Sequence, residues 1–193
     1  MVTLDQIKSL RESTGLSVMQ VKKALEEADG DAAKALALLK KKSKDVAAKK
    51  ADRKFGAGTI ATYIHTKGAV GAMVELVCET DFVSGNEAFQ KLAYDIALHI
   101  AASNPEFNTL ADITDEVKEI ARDLFIKEVE GKPEDLKEKI LQGKLDAYFK
   151  ERVLSEQAFV KNPDVTITDL INEAIHKFGE KIAVGRFVRY SIK

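Results

Sequence analysis

Apolar positions along this chain change period twice. Up to about residue 42 they recur every three or four residues, in three short runs. Thr3 and Gln6 stand at capping-box spacing, and Leu4, Ile7, Leu10 and Arg11 follow at helical intervals until Thr14-Gly15. Ser17 can cap a second run whose stripe is Val18, Val21, Leu25 and Ala28, stopped by Asp29-Gly30. Asp31 opens a third, with Ala32, Ala35, Leu36 and Leu39 inward. Residues 1–42 therefore predict a compact three-helix module, marginal alone and helped by a packed partner surface.

From residue 59 the period shortens to two. Thr59 to Thr66 (TIATYIHT) is β-branched and alternating, Lys67-Gly68 is a turn, and Ala69 to Glu79 (AVGAMVELVCE) is long and apolar, which together predict a hairpin. Helical spacing returns from Asn86 to Ser103, where Phe89, Leu92, Ala93, Ile96, Ala97 and Ile100 form a wide face that Asn104-Pro105 ends. Two further helices are expected at 115–130 (Val117, Ile120, Ala121, Leu124 and Phe125 inward) and at 134–154 (Leu136, Ile140, Leu141, Leu145 and Phe149). Gly131-Lys132-Pro133 joins them into an antiparallel hairpin with charged outer faces, expected to project into solvent. Thr166 and Asp169 make a capping box for a helix to Phe178, and Lys181 to Ile192 alternates again as a strand. The fold class expected is α+β: the three-helix module, then a three-stranded antiparallel sheet with helices on one face and a projecting helical hairpin.

Between module and sheet, residues 40–54 (KKKSKDVAAKKADRK) set eight Lys or Arg against two Asp. We read residues 43–54 as a basic linker, or a frayed extension of the third helix, and 55–193 as the core, with the helical hairpin at about 115–154. No aromatic side chain interleaves the charges as a nucleic-acid stacking surface would need. Net charge is −1, so no global field draws the chain to nucleic acid or membrane. With 45% hydrophobic and 32% charged residues, a packed core and a soluble surface are both within reach. The start, MVTLDQIKSLRES, lacks signal-peptide features, no apolar run approaches the ~20 residues of a membrane span, and one cysteine excludes an intrachain disulfide. A cytoplasmic protein is expected.

Candidate chemistry is sparse. His65, His99 and His176 are scattered and Cys78 is alone, so no metal-ligand spacing occurs. Gly56-Ala57-Gly58 precedes a strand, the wrong context for a phosphate cradle, so no nucleotide binding and no cofactor are expected. Cys78 lies in an apolar strand where its thiol resists ionisation, and Glu75, Glu79 and Asp81 lack a partner constellation. Surface remains. Val18 and Met19 are adjacent on a helix and cannot both face one small core. In CETDFVSGNEAF (78–89), Ser84 and Glu87 stand at capping-box spacing and Val83 can serve as a hydrophobic staple. Asp81 can accept backbone donors and fix the turn. Phe82 is then surplus: it either folds back into the core or is presented to a partner.

Three stretches carry a resemblance. LRESTGLSVMQVKKALEEADGD (10–31), VCETDFVSGNEAF (77–89) and IALHIAASNPEF (96–107), with the GKP turn and QAFVKNP (157–163), resemble elongation factor Ts over almost the whole chain. That family is the guanine-nucleotide exchange factor of elongation factor Tu. The resemblance implies that residues 1–42 are a ubiquitin-associated-like module that docks on the GTPase domain through Arg11, Val18 and Met19, with Leu10 nearby. The family usually has a bulkier side chain where Val18 stands. Thr80, Asp81, Phe82 and Val83 would be the intruding element, with Asp81 and Phe82 near the bound magnesium and Phe82 shifting the phosphate loop. No covalent chemistry is implied. The chain looks like the family's short form, with one core subdomain, which implies a homodimer. An intersubunit disulfide of that form would need a cysteine near the C-terminus, and none is present. The competing readings are a ubiquitin-like-fold or ribosome-binding module acting through residues 1–42 and the basic linker, and a hydrolase using Cys78 or the acidic residues.

Overall fold

The structure, a computed structural model, describes residues 2–129 and 133–192. Helices α1 (Leu4–Thr14) and α2 (Val18–Glu27) both begin in complete capping boxes, Thr3 with Gln6 and Ser17 with Gln20. Each box satisfies two of the amide groups that a helix start leaves without an intrahelical partner. Gly15 closes α1 at φ 67°, where a side chain would be strained. Asp31 caps α3 (Ala32–Ala48) through the amides of Ala33 and Lys34. Ile7, Leu10, Leu16, Val21, Leu25 and Leu39 fill the small core between the three helices.

α3 runs six residues past the expected end of the module, so the first half of the stretch read as a basic linker is helix. Its Val46 and Ala47 pack on the main core. The polar composition of 43–54 hid this, because only two small apolar side chains per turn are needed to seat a helix against a neighbour.

β1 (Ala57–Ile64), β2 (Val70–Cys78) and β5 (Ala183–Ser191) form an antiparallel sheet in the order β1-β2-β5. β1 and β2 are the expected hairpin, with Ile64 opposite Gly71. β5 returns along the free edge of β2 with a bulge at Glu75/Leu76. Only one face of this sheet is covered. Ala72, Val74, Leu76 and Cys78 point into the main core, where α5 (Glu87–Ser103) lays Phe89, Ala93, Ile96, Ala97 and Ile100 across them. Phe89, Ile96 and Ile100 are wholly buried, each contributing about 1.5–3 kcal/mol of transfer free energy. α8 (Ile167–Phe178), capped by Thr166 and Asp169 as expected, closes the core beside α5 with Ile167, Ala174 and Ile175.

α6 (Asp115–Ile126) and α7 (Glu134–Lys150) pair over a third core of Ala121, Leu141, Leu145 and Phe149, sealed by Ile113 and Val153. The Gly131-Lys132 part of the turn between them lies outside the described residues. Ile120, Leu124 and Leu136, expected inward, are 58%, 57% and 49% exposed. A pair of helices buries one stripe each, and among the described residues no third helix meets the second apolar stripe. α7 also ends at Lys150 rather than near 154, and a two-stranded sheet follows, β3 (Ala158–Phe159) with β4 (Asn162–Thr166). No helix among the described residues is long and apolar enough to cross a membrane.

Two histidines join these parts. His99 is wholly buried, with Nε2 2.9 Å from Gln157 Oε1 and Nδ1 accepting from the Val160 amide at 3.2 Å. Gln157 Nε2 donates to Glu151 O, so its oxygen faces the ring and Nε2 carries the His99 proton. His176 on α8 bridges to the module: Gln20 Nε2 lies 2.8 Å from its Nε2, and Ser43 Oγ lies 3.0 Å from its Nδ1. Gln20 Oε1 is held by the Ser17 amide and hydroxyl, so its amide group donates to His176 Nε2, and the ring proton sits on Nδ1. Both rings are thus neutral, and a second proton would oppose an existing donor.

Burial holds both imidazoles below their ordinary value near 6.5, aided at His176 by the charge of Lys42. Between the lowered values and 6.5 the unfolded chain binds more protons than the folded one, so stability is full above about pH 6.5 and falls as pH drops through that window. Glu173, whose carboxyl burial raises, acts with the opposite sign, so a comparison of variants isolates the histidines. Calorimetry of wild type and His176→Asn between pH 7.5 and 5.5 should give a shallower Tm decline for the variant; parallel curves would remove His176 from the effect.

Candidate functional site

The last β2–β5 pair is Val77 with Ala183; beyond it the strands part. The amides of Glu79, Thr80 and Lys181 then need other acceptors. Two carboxylates supply them, crossed. Glu180 Oε2 accepts from Glu79 N at 3.1 Å and from Thr80 N at 3.0 Å, and Thr80 Oγ1 donates to Glu180 Oε1 at 2.6 Å. In return, Glu79 Oε1 accepts from the Lys181 amide. Arg53 Nη1 lies 3.2 Å from both Glu79 oxygens. The Lys181 amide, and after it Arg53, hold the Glu79 carboxyl below the usual glutamate value. Lys181 Nζ donates to the carbonyls of Ala51 and Arg53 and lies 4.5 Å from the Phe55 ring centre. Lys50 Nζ donates to Gly179 O at 2.6 Å. The exit of α3, the α8–β5 connection and the end of β2 are therefore tied together.

The turn that follows grows from this tie. Thr80 is extended, at φ −130° and ψ 160°, and its carbonyl accepts from Ser84 N and from the Cys78 thiol, each at 3.2 Å. One helical turn results, α4 (Asp81–Ser84), closed by Gly85 N donating to Asp81 O at 2.8 Å. Adjacent positions on a helix point about 100° apart. Val83 consequently enters the main core at 8% exposure while Phe82 stands 88% exposed. The Cys78 thiol is pushed up by burial and by the charge of Glu180, as suits a packed thiol rather than a nucleophile.

Of the two helix starts the sequence leaves open, Ser84 and Asn86, the second is the one formed, and the turn departs from expectation only at Asp81. Ser84 does not cap α5; its hydroxyl donates to Asp81 O, and Asn86 is the cap, accepting from Ala88 N. Asp81 holds the turn with its backbone carbonyl, while the carboxylate that fixes Thr80 comes from Glu180, 100 residues away in sequence. Thr80, Asp81, Phe82 and Val83 are brought into one structural unit, three presented and one anchored. At the module, Arg11 is exposed and both Val18 and Met19 are, at 51% and 75%. Leu10, at 6% exposure, belongs to the module core and lies beneath the α1–α2 surface rather than on it. Glu79, Glu180, Lys181 and Arg53 went unnoticed as a group. The signal available was an acidic residue directly after the helix-ending Gly179, at φ 72°.

Comparison with known proteins shows what this chain is similar to. The family described as "Elongation factor TS" matches residues 22–193. Elongation factor Ts of Carboxydothermus hydrogenoformans is 45% identical over 194 residues, covering 100% of this chain and 89% of that protein. Its counterpart in Thermodesulfovibrio yellowstonii is 46% identical over 192 residues (99% and 96%), and that of Thermosipho melanesiensis 44% over 194 (100% and 99%).

An exposed Phe82 and a buried Val83 predict opposite stability effects. In urea denaturation, Phe82→Ala should leave stability within about 0.5 kcal/mol. Val83→Ala should cost about 1–3 kcal/mol. Equal losses would place Phe82 in the packed structure.

Proposed function

Because the chain belongs to the elongation factor Ts family, we propose that it is a translation elongation factor that acts on elongation factor Tu in the cytoplasm. It binds Tu–GDP and promotes GDP release by disturbing the magnesium and phosphate-loop region, so that GTP can bind. The observation that carries this reading is Phe82, a large apolar side chain almost wholly in water on a turn whose first residue, Thr80, is hydrogen-bonded to Glu180.

A GTPase holds GDP through phosphate-loop amides and magnesium. An exchange factor needs a higher affinity for the nucleotide-free form than for the GDP form, and linkage makes that preference reciprocal. Burying Phe82 between side chains displaced from the phosphate loop supplies the preference, since the ring leaves water only in that state. Asp81, exposed beside it, approaches the magnesium. No bond is made or broken. Docking is assigned to the module, through Arg11, Val18 and Met19, over the buried Leu10. The chain itself binds neither nucleotide nor nucleic acid in this reading.

A homodimer is part of the same proposal, and the uncovered sheet face supports it. Ile60, Ile64, Met73, Val188, Tyr190 and Ile192 stand 39–83% exposed there, all but Ile60 lining a groove of about 410 Å³. Contiguous exposed apolar surface of this kind marks a contact site. Introducing a charge at its centre, Met73→Asp, should shift the sedimentation coefficient of a dimer to that of a monomer without loss of helical circular dichroism. A wild-type protein that sediments as a monomer at micromolar concentration would remove the dimer.

The function is tested by release of fluorescent GDP from purified elongation factor Tu in excess unlabelled GDP. Wild type should accelerate release strongly. Phe82→Ala should lose most of that acceleration, on the order of 10-fold or more. Absence of acceleration by wild type rejects the function; an unchanged Phe82→Ala rate rejects the role of the ring.

A further inference from the structure

We propose that Glu180 is a positioning residue for nucleotide release, holding the Thr80–Val83 turn so that Phe82 is presented in one orientation. The proposal rests on the exchange reading of Phe82 and adds a residue from the far end of the chain.

The turn's other hydrogen bonds are local, from Cys78 Sγ and Ser84 N to Thr80 O and from Gly85 N and Ser84 Oγ to Asp81 O. α4 is a single turn of four residues, too short to be stable by its own hydrogen bonds. Its C-terminal side is anchored by Val83 in the core. Its N-terminal side has left the sheet, and Thr80 is exposed. There the Glu180 carboxylate gathers three donors: the amides of Glu79 and Thr80 and the Thr80 hydroxyl. Thr80, in the N-cap position of α4, uses its hydroxyl on Glu180 rather than on the helix amides. Charge-assisted bonds of this kind are about twice as strong as neutral ones, and two of the three act on the backbone three and two residues before Phe82, past the last pair of the β2–β5 ladder.

Glu180 is in turn immobilised on both sides. Gly179 before it turns out of α8 in the left-handed region, with its carbonyl held by Lys50. Lys181 after it is held at its amide by Glu79 and at its ammonium by the carbonyls of Ala51 and Arg53. The carboxylate therefore acts from a fixed base. Losing it releases the Thr80 amide and hydroxyl, and the Phe82 ring two residues on shifts with the turn. Small misplacements of a group that must meet its target in one geometry cost up to about 100-fold in rate.

The test compares Glu180→Ala, Glu180→Gln and Phe82→Ala in the fluorescent-GDP assay, with hydrogen exchange of the Glu79 and Thr80 amides measured in parallel. Glu180→Ala should lower the maximal release rate by about 10-fold, and by no more than Phe82→Ala does. The concentration for half-maximal release should stay within about 2-fold, because the docking residues are on another element. Glu180→Gln keeps an oxygen for the two amides and should recover most of the rate. The double variant Phe82→Ala/Glu180→Ala should be no slower than Phe82→Ala alone, and the Thr80 amide should exchange faster in Glu180→Ala but not in Phe82→Ala. A wild-type release rate in Glu180→Ala, while Phe82→Ala is slow, overturns the positioning role and leaves the exchange reading standing. Multiplying effects in the double variant also overturn it, since Glu180 would then act elsewhere. A wild-type rate in Phe82→Ala overturns the role of the ring, and the positioning role with it, while acceleration by wild type leaves the exchange function standing.

Discussion

Where β2 and β5 part company, two carboxylates take over from the sheet ladder. Up to Val77 and Ala183 the strands satisfy each other's amides. Past that point the chain turns away, and unpaired amides near a core edge are costly. Glu79 and Glu180 each reach across to the other strand's backbone, so the parting is itself hydrogen-bonded. Everything near the presented turn hangs on this crossing. It sets where β2 stops, where α4 starts, and which way Val83 and Phe82 point. It also draws in the exit of α3 through Arg53, Lys181 and Lys50, so that the three-helix module is fastened near the turn as well as at His176.

Such a crossing has no periodic signature. Helix starts at Thr3, Ser17 and Thr166 were legible because a capping box is local: four residues carry both the donors and the acceptors. The hairpin β1–β2 and the α5 stripe were legible because one face of each is buried, which imposes period two or about 3.6 on the apolar positions. Glu180 and Thr80 are 100 residues apart, and each looks like an ordinary surface residue in its own neighbourhood. The exposed position of Phe82 was open on physical grounds alone, since a turn residue beside a staple can go either way. What resolves it is that Val83 already fills the space below the turn.

Misread positions share one cause, that apolar pattern reports a stripe and not the presence of something to cover it. Val18 continues the α2 stripe but sits at the first turn, past the edge of a core closed by Leu16 and Leu10. Ile120, Leu124 and Leu136 extend the α6 and α7 stripes around to a side that no third helix among the described residues covers. β3 and β4 were missed for the opposite reason: two and five residues with a proline carry too little pattern to register as strands.

The same one-sidedness shapes the whole molecule. A three-stranded sheet covered by α5 and α8 on one face leaves Ile60, Met73 and Tyr190 in water on the other. A folded chain keeps such surface only if the covered face alone secures stability, and here the main core, from Phe89 to Ile175, is continuous enough to do so. The order in the presented turn follows the same logic. A flexible wedge would have to lose its conformational freedom on meeting a GTPase, about 1–2 kcal/mol per backbone residue, and that cost would subtract from the preference that drives release. In this chain the order is already bought during folding, by Val83 below, Cys78 behind and Glu180 beside the turn. Only the Phe82 side chain is left to settle on contact, so on the exchange reading nearly all of its burial energy remains for discriminating between the empty and the GDP-bound partner.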